Sequence, residues 1–324
     1  IAVIFAANIN GDGPGARLHL NERVQATLQD ERHQIRPLQA RGTKVLLSVL
    51  GNHQGTGIAN FTSYAEADAF AAQLEAVVKA HRLDGIDFDD EWAEYGINQT
   101  PQPNGYSFLY LLKALRARLG PEKLITFYNI GPAMDSLVHD GENGAQYIDY
   151  AFNPYYGTWS PPQIPGLTKQ QLAPGAIDLT QTPAARAASL AQRTTEEGYG
   201  ALITYNLTAG DHAAYLSGIT IPLKGHATVK LGRDTTAPTA TIRRGHQLTI
   251  PKGRDAYRVV SYLLQDAGGI AEVVINGVVT ELPAGQRSAI DRIRPGAYGA
   301  VRGHNTMVVH DVAGNTATFS FVLV

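Results

Sequence analysis

The stretch Leu83-Asp-Gly-Ile-Asp-Phe-Asp-Asp-Glu91 interleaves acidic residues with apolar ones. In a β-strand, residues two apart point to the same side, so Asp87, Asp89 and Glu91 share one face. Three carboxylates on a buried face repel one another and lose hydration, so we expect at least one pKa to rise, which suits a general acid. The outermost carboxylate, that of Glu91, falls where the predicted strand meets a loop.

Two other interpretations of this acidic stretch are open. Acidic runs are usually solvated turns, and clustered carboxylates also bind hard cations such as Ca²⁺ or Mg²⁺. The stretch does not match the EF-hand pattern, because Gly85 and Glu91 are misplaced for that loop. Its apolar setting favours a functional site, since buried acids are costly without a use.

Outward from this stretch, short apolar runs alternate with amphipathic segments over the first two thirds of the chain. The alternation predicts parallel βαβ units, and the continuous apolar runs indicate strands covered on both faces. The predicted strands are 1–5, 44–50, 85–88, 124–128, 148–152, 176–179 and 201–205, and the predicted helices are 21–41, 64–81, 107–119 and 184–197.

Seven such strands are one fewer than a closed (β/α)₈ barrel requires, and such a barrel typically has about 250 residues. The chain also opens on Ile1 within an apolar run and without an initiator Met. We therefore expect a TIM-type barrel over residues 1–224 that lacks its first βα unit, in a secreted protein of bacterial type whose leader is absent from this chain. An open doubly wound sheet is the structural alternative.

The pattern changes near residue 225, where helical periodicity ends. Strands are predicted at 258–265, 271–280, 306–310 and 316–324, and the Asn276-Gly277 pair predicts a hairpin turn. Residues 225–324 therefore indicate a small all-β sandwich of the immunoglobulin-like kind. The segments DTTAP (234–238) and DVAGN (311–315) resemble bacterial immunoglobulin-like modules.

Composition excludes several classes of function. Lys and Arg number 27, Asp and Glu number 29, and the net charge of −2 gives no electrostatic basis for binding nucleic acid or an anionic membrane. The chain has no cysteine, which excludes disulfides, thiolate metal sites and a cysteine nucleophile. No apolar run approaches the roughly 20 residues of a transmembrane helix.

The run Asp84–Glu91 resembles the D-G-x-D-x-D-x-E signature of family 18 glycoside hydrolases. The flanking segments resemble the endo-β-N-acetylglucosaminidases of the endoglycosidase H type more than they resemble chitinases. These segments are VIFAANIN (3–10), KVLLSVLGNHQG (44–55), YNIGP (128–132), NPYYGTW (153–159) and TYNL (204–207), and the resemblance covers nearly all of residues 1–224. It implies hydrolysis of the chitobiose core of N-linked high-mannose or hybrid glycans.

The resemblance also implies substrate-assisted catalysis with retention of configuration and with no metal or cofactor. Glu91 would protonate the leaving oxygen, and Asp89 would orient the substrate acetamide. Asp87 would lie below and hydrogen-bond to Asp89. Tyr155 would hydrogen-bond to the acetamide oxygen.

Further residues near predicted strand ends are candidate substrate contacts, although each has packing as its alternative role. Carried over from the resemblance are Asn153, Tyr128, Asn129, Tyr205 and Asn206. The aromatic candidates for stacking on sugar faces are Trp92, Tyr95, Tyr156 and Trp159, and His53 lies in a loop that follows a strand.

Two rival functions are a chitinase and a non-catalytic glycan-binding barrel. The presence of Glu91 argues against the second, because binding barrels of this kind usually lose the glutamate. For the C-terminal module, carbohydrate binding, surface attachment and a spacer role are equally compatible with the sequence.

Overall fold

A computed structural model of the protein describes residues 1–11, 15–230, 232, 234–243, 248–249 and 256–324. The chain divides into two compact units. The first unit comprises Ile1–Ala26 and Lys44–Leu231, and the second comprises Thr27–Thr43 and Gly232–Val324. The predicted boundary after residue 224 precedes this division, and the grouping of residues 27–43 with the C-terminal region was not predicted.

The helices are α1 (Glu22–Gln29), α2 (Glu31–Gln34), α3 (Arg36–Ala40), α4 (Tyr64–Ala80), α5 (Ser107–Leu119), α6 (Ala184–Glu196) and α7 (Ala213–Lys224). The strands are β1 (Ala2–Gly11), β2 (Ala16–His19), β3 (Val45–Leu50), β4 (Gly85–Phe88), β5 (Leu124–Tyr128), β6 (Val138–His139), β7 (Glu142–Asn143), β8 (Tyr150–Phe152), β9 (Leu172–Ala173), β10 (Ala176–Asp178), β11 (Ile203–Tyr205), β12 (Thr239–Ile242), β13 (Leu248–Thr249), β14 (Ala256–Ile275), β15 (Val278–Ile293), β16 (Gly303–Asp311) and β17 (Thr316–Leu323). Short 3₁₀ turns lie at Ile97–Gln99, Pro132–Ser136, Gly144–Tyr147 and Lys169–Gln171.

The first unit is built on parallel strands, as the sequence predicts. Its main sheet has the order β2-β1-β3-β4-β5-β8-β9, in which only β2 is antiparallel to its neighbour, and β10 pairs in parallel with β11. Pro174 and Gly175 separate β9 from β10, and a proline has no amide hydrogen to donate to a ladder. The predicted strand at 176–179 is therefore β10, which is separate from β9 and pairs with β11.

Packing of α5 fixes the position of β4, the strand that carries the acidic stretch. The ring of Phe108 on α5 lies 5.4 Å from that of Phe88 and 4.7 Å from that of Phe127, which belongs to β5. All three rings are buried. Every residue of β4 is also buried, which agrees with the prediction of a strand covered on both faces.

Two helix predictions differ from the structure. The helix predicted over 21–41 is three helices. Pro37 lies in the first turn of α3 and cannot continue helix α2. Helix α7, which contains Pro222, is not predicted from the sequence. Among the described residues, no helix combines the length and apolarity needed to cross a membrane.

The second unit contains the all-β region that the sequence predicts. The hairpin prediction is confirmed: Ile275 pairs with Val278, and the residues between them, Asn276 and Gly277, have φ values of 49° and 87°. The separate strands predicted at 258–265 and 271–280 are wrong, because β14 is continuous from Ala256 to Ile275. Its pairing with β15 shifts register on either side of Ile270, which accounts for the irregular pattern.

Candidate active site

Asp87 is buried in the middle of the parallel sheet. Its neighbours across the sheet are Ser48 on β3 and Thr126 on β5. Both hydroxyls donate hydrogen bonds to its carboxylate, over 2.7 Å from Ser48 and 2.5 Å from Thr126. Burial raises the pKa of Asp87 to about 6, although the two hydroxyls oppose that rise. The expected hydrogen bond to Asp89 is thus replaced by hydroxyl partners from the neighbouring strands.

Asp89 follows β4 and presents an unsatisfied acceptor. Its side chain is buried, and its Oδ1 atom has no hydrogen-bond partner. Burial, followed by the charges of Glu91, Asp87 and Asp90, raises the pKa of Asp89 to about 8. A buried oxygen without a donor costs free energy, and a ligand N–H group would satisfy it.

Glu91 lies at the open end of the same segment and is only partly buried. Burial raises the pKa of its carboxyl group above the ordinary value. Its backbone is fixed by the loop after β3, since Gly51 N–H donates to the Glu91 carbonyl over 2.9 Å. The three carboxyl groups therefore run from the sheet interior to the rim with raised pKa values, as the alternation predicts.

Trp92 extends the rim beside Glu91 and is 58 % exposed. His53 N–H donates to the Trp92 carbonyl over 2.6 Å, and the two rings lie 5.5 Å apart. The His53 Nδ1 atom lies 2.6 Å from a carboxylate oxygen of Glu94. His53, Trp92 and Glu94 all have left-handed φ values, between 53° and 60°. The structure thus brings His53 and Trp92, two of the predicted substrate contacts, together beside the acidic stretch.

A row of aromatic rings lies at another part of the strand ends. The Tyr156 hydroxyl donates to that of Tyr128 over 3.2 Å, and the Tyr156 ring stacks on Tyr205 at 5.0 Å. Tyr205 in turn lies edge-on to Phe5, at 5.8 Å. Burial, followed by the charge of Asp87, raises the pKa of Tyr128. Phe5 was not singled out from the sequence, because its place in the apolar run 1–5 is typical of core.

Asn153 orders the loop that carries Tyr155. Its buried amide donates to the Pro174 carbonyl over 2.8 Å and to the Thr158 hydroxyl over 3.2 Å, and its Oδ1 atom accepts from Tyr155 N–H over 2.9 Å. The Tyr155 side chain is 55 % exposed. Both residues line a cavity of 330 Å³, together with Asn129, Met134, Asp135, Pro154, Ser160, Pro162 and Gln163.

Two predicted contacts are engaged in other packing. The Trp159 ring is covered on one face by the Arg193 guanidinium group at 4.2 Å and meets Tyr199 edge-on at 5.6 Å. Asn206 donates from its amide to the Thr180 hydroxyl over 2.9 Å. The structure therefore does not bring Trp159 into the group of site residues.

Asp90 is a residue that sequence reasoning left without a role. It is buried, and its carboxylate accepts from Ala133 N–H over 2.7 Å and from the Tyr95 hydroxyl. Burial raises the pKa of Asp90 to about 6. Tyr95, a predicted stacking residue, is thus tied into this contact. The sequence does contain a signal for this role, because strand alternation assigns the acidic Asp90 to the face opposite to the other three carboxylates.

A separate acidic group lies in the second unit. Oxygens of Asp234, Asp266 and Asp311 lie within 4.8 Å of one another, a spacing that a metal ion would fit. Asn315 donates from its amide to Asp311 over 2.8 Å and to the Asp234 carbonyl over 3.0 Å. The group therefore joins the DTTAP and DVAGN segments of the sequence.

Comparison with known proteins agrees with the acidic geometry. Residues 7–168 match the sequence profile described as "Glycosyl hydrolases family 18". The chain is 55 % identical over 227 residues to an endo-β-N-acetylglucosaminidase of Flavobacterium sp. (strain SK1022). The aligned residues make up 70 % of this chain and 72 % of that protein. The chain belongs to family 18 of the glycosyl hydrolases.

Two further relatives place it within family 18. Endo-β-N-acetylglucosaminidase F1 of Elizabethkingia meningoseptica is 36 % identical over 211 residues, covering 62 % of this chain and 60 % of that protein. The solved structure of Bacteroides thetaiotamicron EndoBT-3987 with Man5GlcNAc product is 29 % identical, with a TM-score of 0.60. That match covers 70 % of this chain and 54 % of the EndoBT-3987 chain. The predicted resemblance to this family and its endo-β-N-acetylglucosaminidases is confirmed.

Proposed function

We propose that the protein is an endo-β-N-acetylglucosaminidase that hydrolyses the GlcNAc-β-1,4-GlcNAc bond of N-linked high-mannose or hybrid glycans. The observation that carries this proposal is the buried Asp89 carboxyl group, whose Oδ1 atom has no partner, two residues before the rim carboxyl of Glu91. An acetamido N–H of the substrate supplies the missing donor. A sugar without an acetamido group would leave that oxygen unsatisfied.

The reaction follows from the chemistry of these two groups. Glu91, whose raised pKa favours the protonated form, donates its proton to the glycosidic oxygen as the bond to the anomeric carbon breaks. The acetamide carbonyl oxygen attacks that carbon and forms an oxazolinium ring. The positive charge of this ring favours the ionised form of Asp89, which in turn stabilises the ring. Glu91 then removes a proton from water, which opens the ring. Two inversions at one carbon give overall retention of configuration.

The neighbouring side chains supply recognition. Tyr155, exposed on an ordered loop, has a hydroxyl available for the acetamide oxygen. Trp92 presents an exposed indole for stacking on a sugar ring. Tyr156 and Tyr205 form an aromatic wall.

The choice of N-linked glycan as substrate rests on the relatives. EndoBT-3987 has been solved with Man5GlcNAc product and in complex with Man9GlcNAc2Asn substrate. The Flavobacterium and Elizabethkingia relatives are endo-β-N-acetylglucosaminidases. By extension, the partner of this chain is the N-linked glycan of a glycoprotein.

The finer architecture belongs to the same proposal. The parallel strands of the first unit correspond to seven strands of a (β/α)₈ barrel, if β9 and β10 count as one interrupted strand. The place of an eighth strand is between β1 and β11, whose residues Phe5 and Tyr205 meet edge-on. The second unit is an immunoglobulin-like module for carbohydrate or surface binding, and the enzyme acts outside the cell.

Mass spectrometry of a denatured high-mannose glycoprotein tests the function. Incubation with the protein is expected to leave a single N-acetylglucosamine on asparagine and to release a glycan with one N-acetylglucosamine at its reducing end. An unchanged glycoprotein, together with short oligomers released from chitin, would establish a chitinase instead.

A further inference from the structure

The loops after β3, β4 and β5 meet at the carboxylate of Asp90. From the loop after β5, Ala133 N–H donates to Asp90 Oδ2 over 2.7 Å. From the loop after β4, the Tyr95 hydroxyl donates to Oδ1. That hydroxyl oxygen also accepts from Ala59 N–H over 3.1 Å, which ties in the loop after β3. A single buried carboxylate thereby connects the ends of three neighbouring strands.

Two glycines allow neighbouring segments to lie very close to the backbone around Glu91. Gly131 has a φ of 72°, and a Cβ atom there would overlap the backbone oxygen and the side chain of Asp90. A Cβ atom on Gly51 would overlap the backbone of Ala93. The segment from Asp90 to Ala93 is therefore held from both sides, and Glu91 lies within it.

We propose that Asp90 is a positioning residue for the reaction, because its carboxylate fixes the backbone from which Asp89 and Glu91 project and adds a negative charge beside them. Its carboxylate is bound by Tyr95 and Ala133, so it acts on the reaction through Asp89 and Glu91. The inference rests on the proposed function wherever turnover is the measured quantity.

Electrostatics gives Asp90 a second effect on the site. After burial, the pKa of Asp89 is raised by the charges of Glu91, Asp87 and Asp90. Replacing Asp90 by asparagine removes the last of these charges and nearly preserves side-chain shape. The pKa of Asp89 is therefore expected to fall in that variant, whereas a purely structural role would leave it unchanged.

The test compares Asp90→Asn and Tyr95→Phe with the wild-type protein. In Asp90→Asn, kcat on a high-mannose glycopeptide is expected to fall roughly 10- to 100-fold, the scale of a small misplacement of catalytic groups, while KM stays within about threefold. Titration of ¹³C-labelled carboxyl groups by NMR is expected to give a lower pKa for Asp89. Tyr95→Phe keeps the charge, so kcat falls while the pKa of Asp89 does not.

Asp149→Asn is the matched control. Asp149 lies just before β8, outside the acidic stretch, and its carboxylate also accepts from a backbone amide, that of Ile125, over 2.7 Å. The control is expected to lower the melting temperature while kcat and the Asp89 titration remain at wild-type values.

Unchanged kcat in either variant, or an unchanged Asp89 titration in Asp90→Asn, overturns the inference. If Asp90→Asn does not fold, the kcat of Tyr95→Phe decides. A wild-type protein that cleaves no glycopeptide contradicts the proposed function instead, and the carboxyl titration then decides the role of Asp90 alone.

Discussion

Glu91 is partly buried, and burial raises the pKa of its carboxyl group. Its proposed role as the proton donor predicts the effect of its substitution on the rate. Glutamine keeps the shape of the side chain but has no acidic proton to transfer to the leaving oxygen. General acid catalysis contributes about 10²- to 10⁴-fold to rates, so Glu91→Gln is expected to reduce kcat by at least about 10²-fold with little change in KM. Initial rates on a fluorescent high-mannose glycopeptide measure this effect.

Glu142→Gln makes the same chemical change far from the acidic stretch in sequence. Glu142 pairs with Lys113 over 2.8 Å on the surface, and exposed ion pairs contribute little stability. Its activity is expected to equal that of the wild type. Equal activity of the Glu91 and Glu142 variants would remove the proposed mechanism.

The sequence predicts which carboxylates share a face, but not the groups that contact them. Strand alternation is a local property, so Asp87, Asp89 and Glu91 follow from spacing alone. The partners of Asp87 come from β3 and β5, and their register depends on the whole sheet. The role of Asp90 was missed for the same reason, because its partners lie on other loops.

At the scale of an element, the acidic end of β4 destabilises the fold at neutral and basic pH. The pKa of Asp89 is about 8 in the folded chain, against about 3.9 in an unfolded one. A raised carboxyl pKa means that the stability contributed by the protonated form is lost as pH rises through the folded value. Asp89→Asn is therefore expected to be inactive yet more stable, by up to about 5 kcal/mol at pH 8. Urea unfolding at pH 8 and pH 5 measures this gain, which shrinks toward pH 5.

Asp68→Asn is the control of opposite sign. The hydrogen bonds from Arg118 lower the pKa of Asp68. The ionised Asp68 carboxylate therefore contributes stability at every pH above the ordinary pKa of aspartate, and this stability is lost only at more acidic pH. This variant is expected to lose stability by the same amount at pH 5 and pH 8. A gain in Asp89→Asn that does not depend on pH would contradict the burial argument.

The β14–β15 hairpin depends on backbone conformations that few residues adopt. Gly277 has a φ of 87° in the two-residue turn, and L-residues with a side chain are strained there. Gly277→Ala is expected to cost about 1 kcal/mol. The control is Gly105→Ala, since an added Cβ at Gly105 meets no atom within 4 Å. Thermal unfolding compares the two variants, and an equal melting temperature would refute the expectation.

Elements were predictable where periodicity and local turn signals agree. Helix α5 and strands β4 and β5 have the predicted bounds, because apolar residues recur at the helical or strand period within clear ends. The helix predictions failed at two prolines, which have different effects on the helices that contain them. Pro37 divides the helix predicted over 21–41, whereas Pro222 lies inside α7 without ending it. Whether a proline ends a helix depends on packing that sequence spacing does not contain.

At the scale of the molecule, the two units contain buried groups with opposite responses to acid. In the first unit, burial raises the pKa values of Asp87, Asp89 and Asp90, which favours the folded state at low pH. In the second unit, His310 is buried, and neither ring nitrogen has a hydrogen-bond partner. Burial, followed by the charges of Arg32 and His33, lowers the pKa of His310 to about 4.

His310→Leu tests the second response. The Glu272 carboxylate lies 4.0 Å from the His310 ring, which is too far for a hydrogen bond. Burial is therefore the larger effect on His310 and lowers its pKa. A lowered histidine pKa costs stability as pH falls from about 6.5 toward 4, by up to about 3 kcal/mol. The variant is therefore expected to become more stable than the wild type as the buffer is acidified over this range. Denaturant unfolding at pH 7 and pH 4.5 measures the difference, and a difference that does not vary with pH would contradict it.

The double variant Asp89→Asn/His310→Leu then asks whether the two responses are independent. The two residues belong to different compact units, and the effects of independent sites add to within about 0.5 kcal/mol. The sum of the single-variant changes is therefore expected at every pH, because each group titrates in its own surroundings. Calorimetry of the two single variants and the double variant at pH 5 and pH 8 measures this sum. A departure from it of more than about 1 kcal/mol would mean that unfolding of one unit changes the protonation of the other.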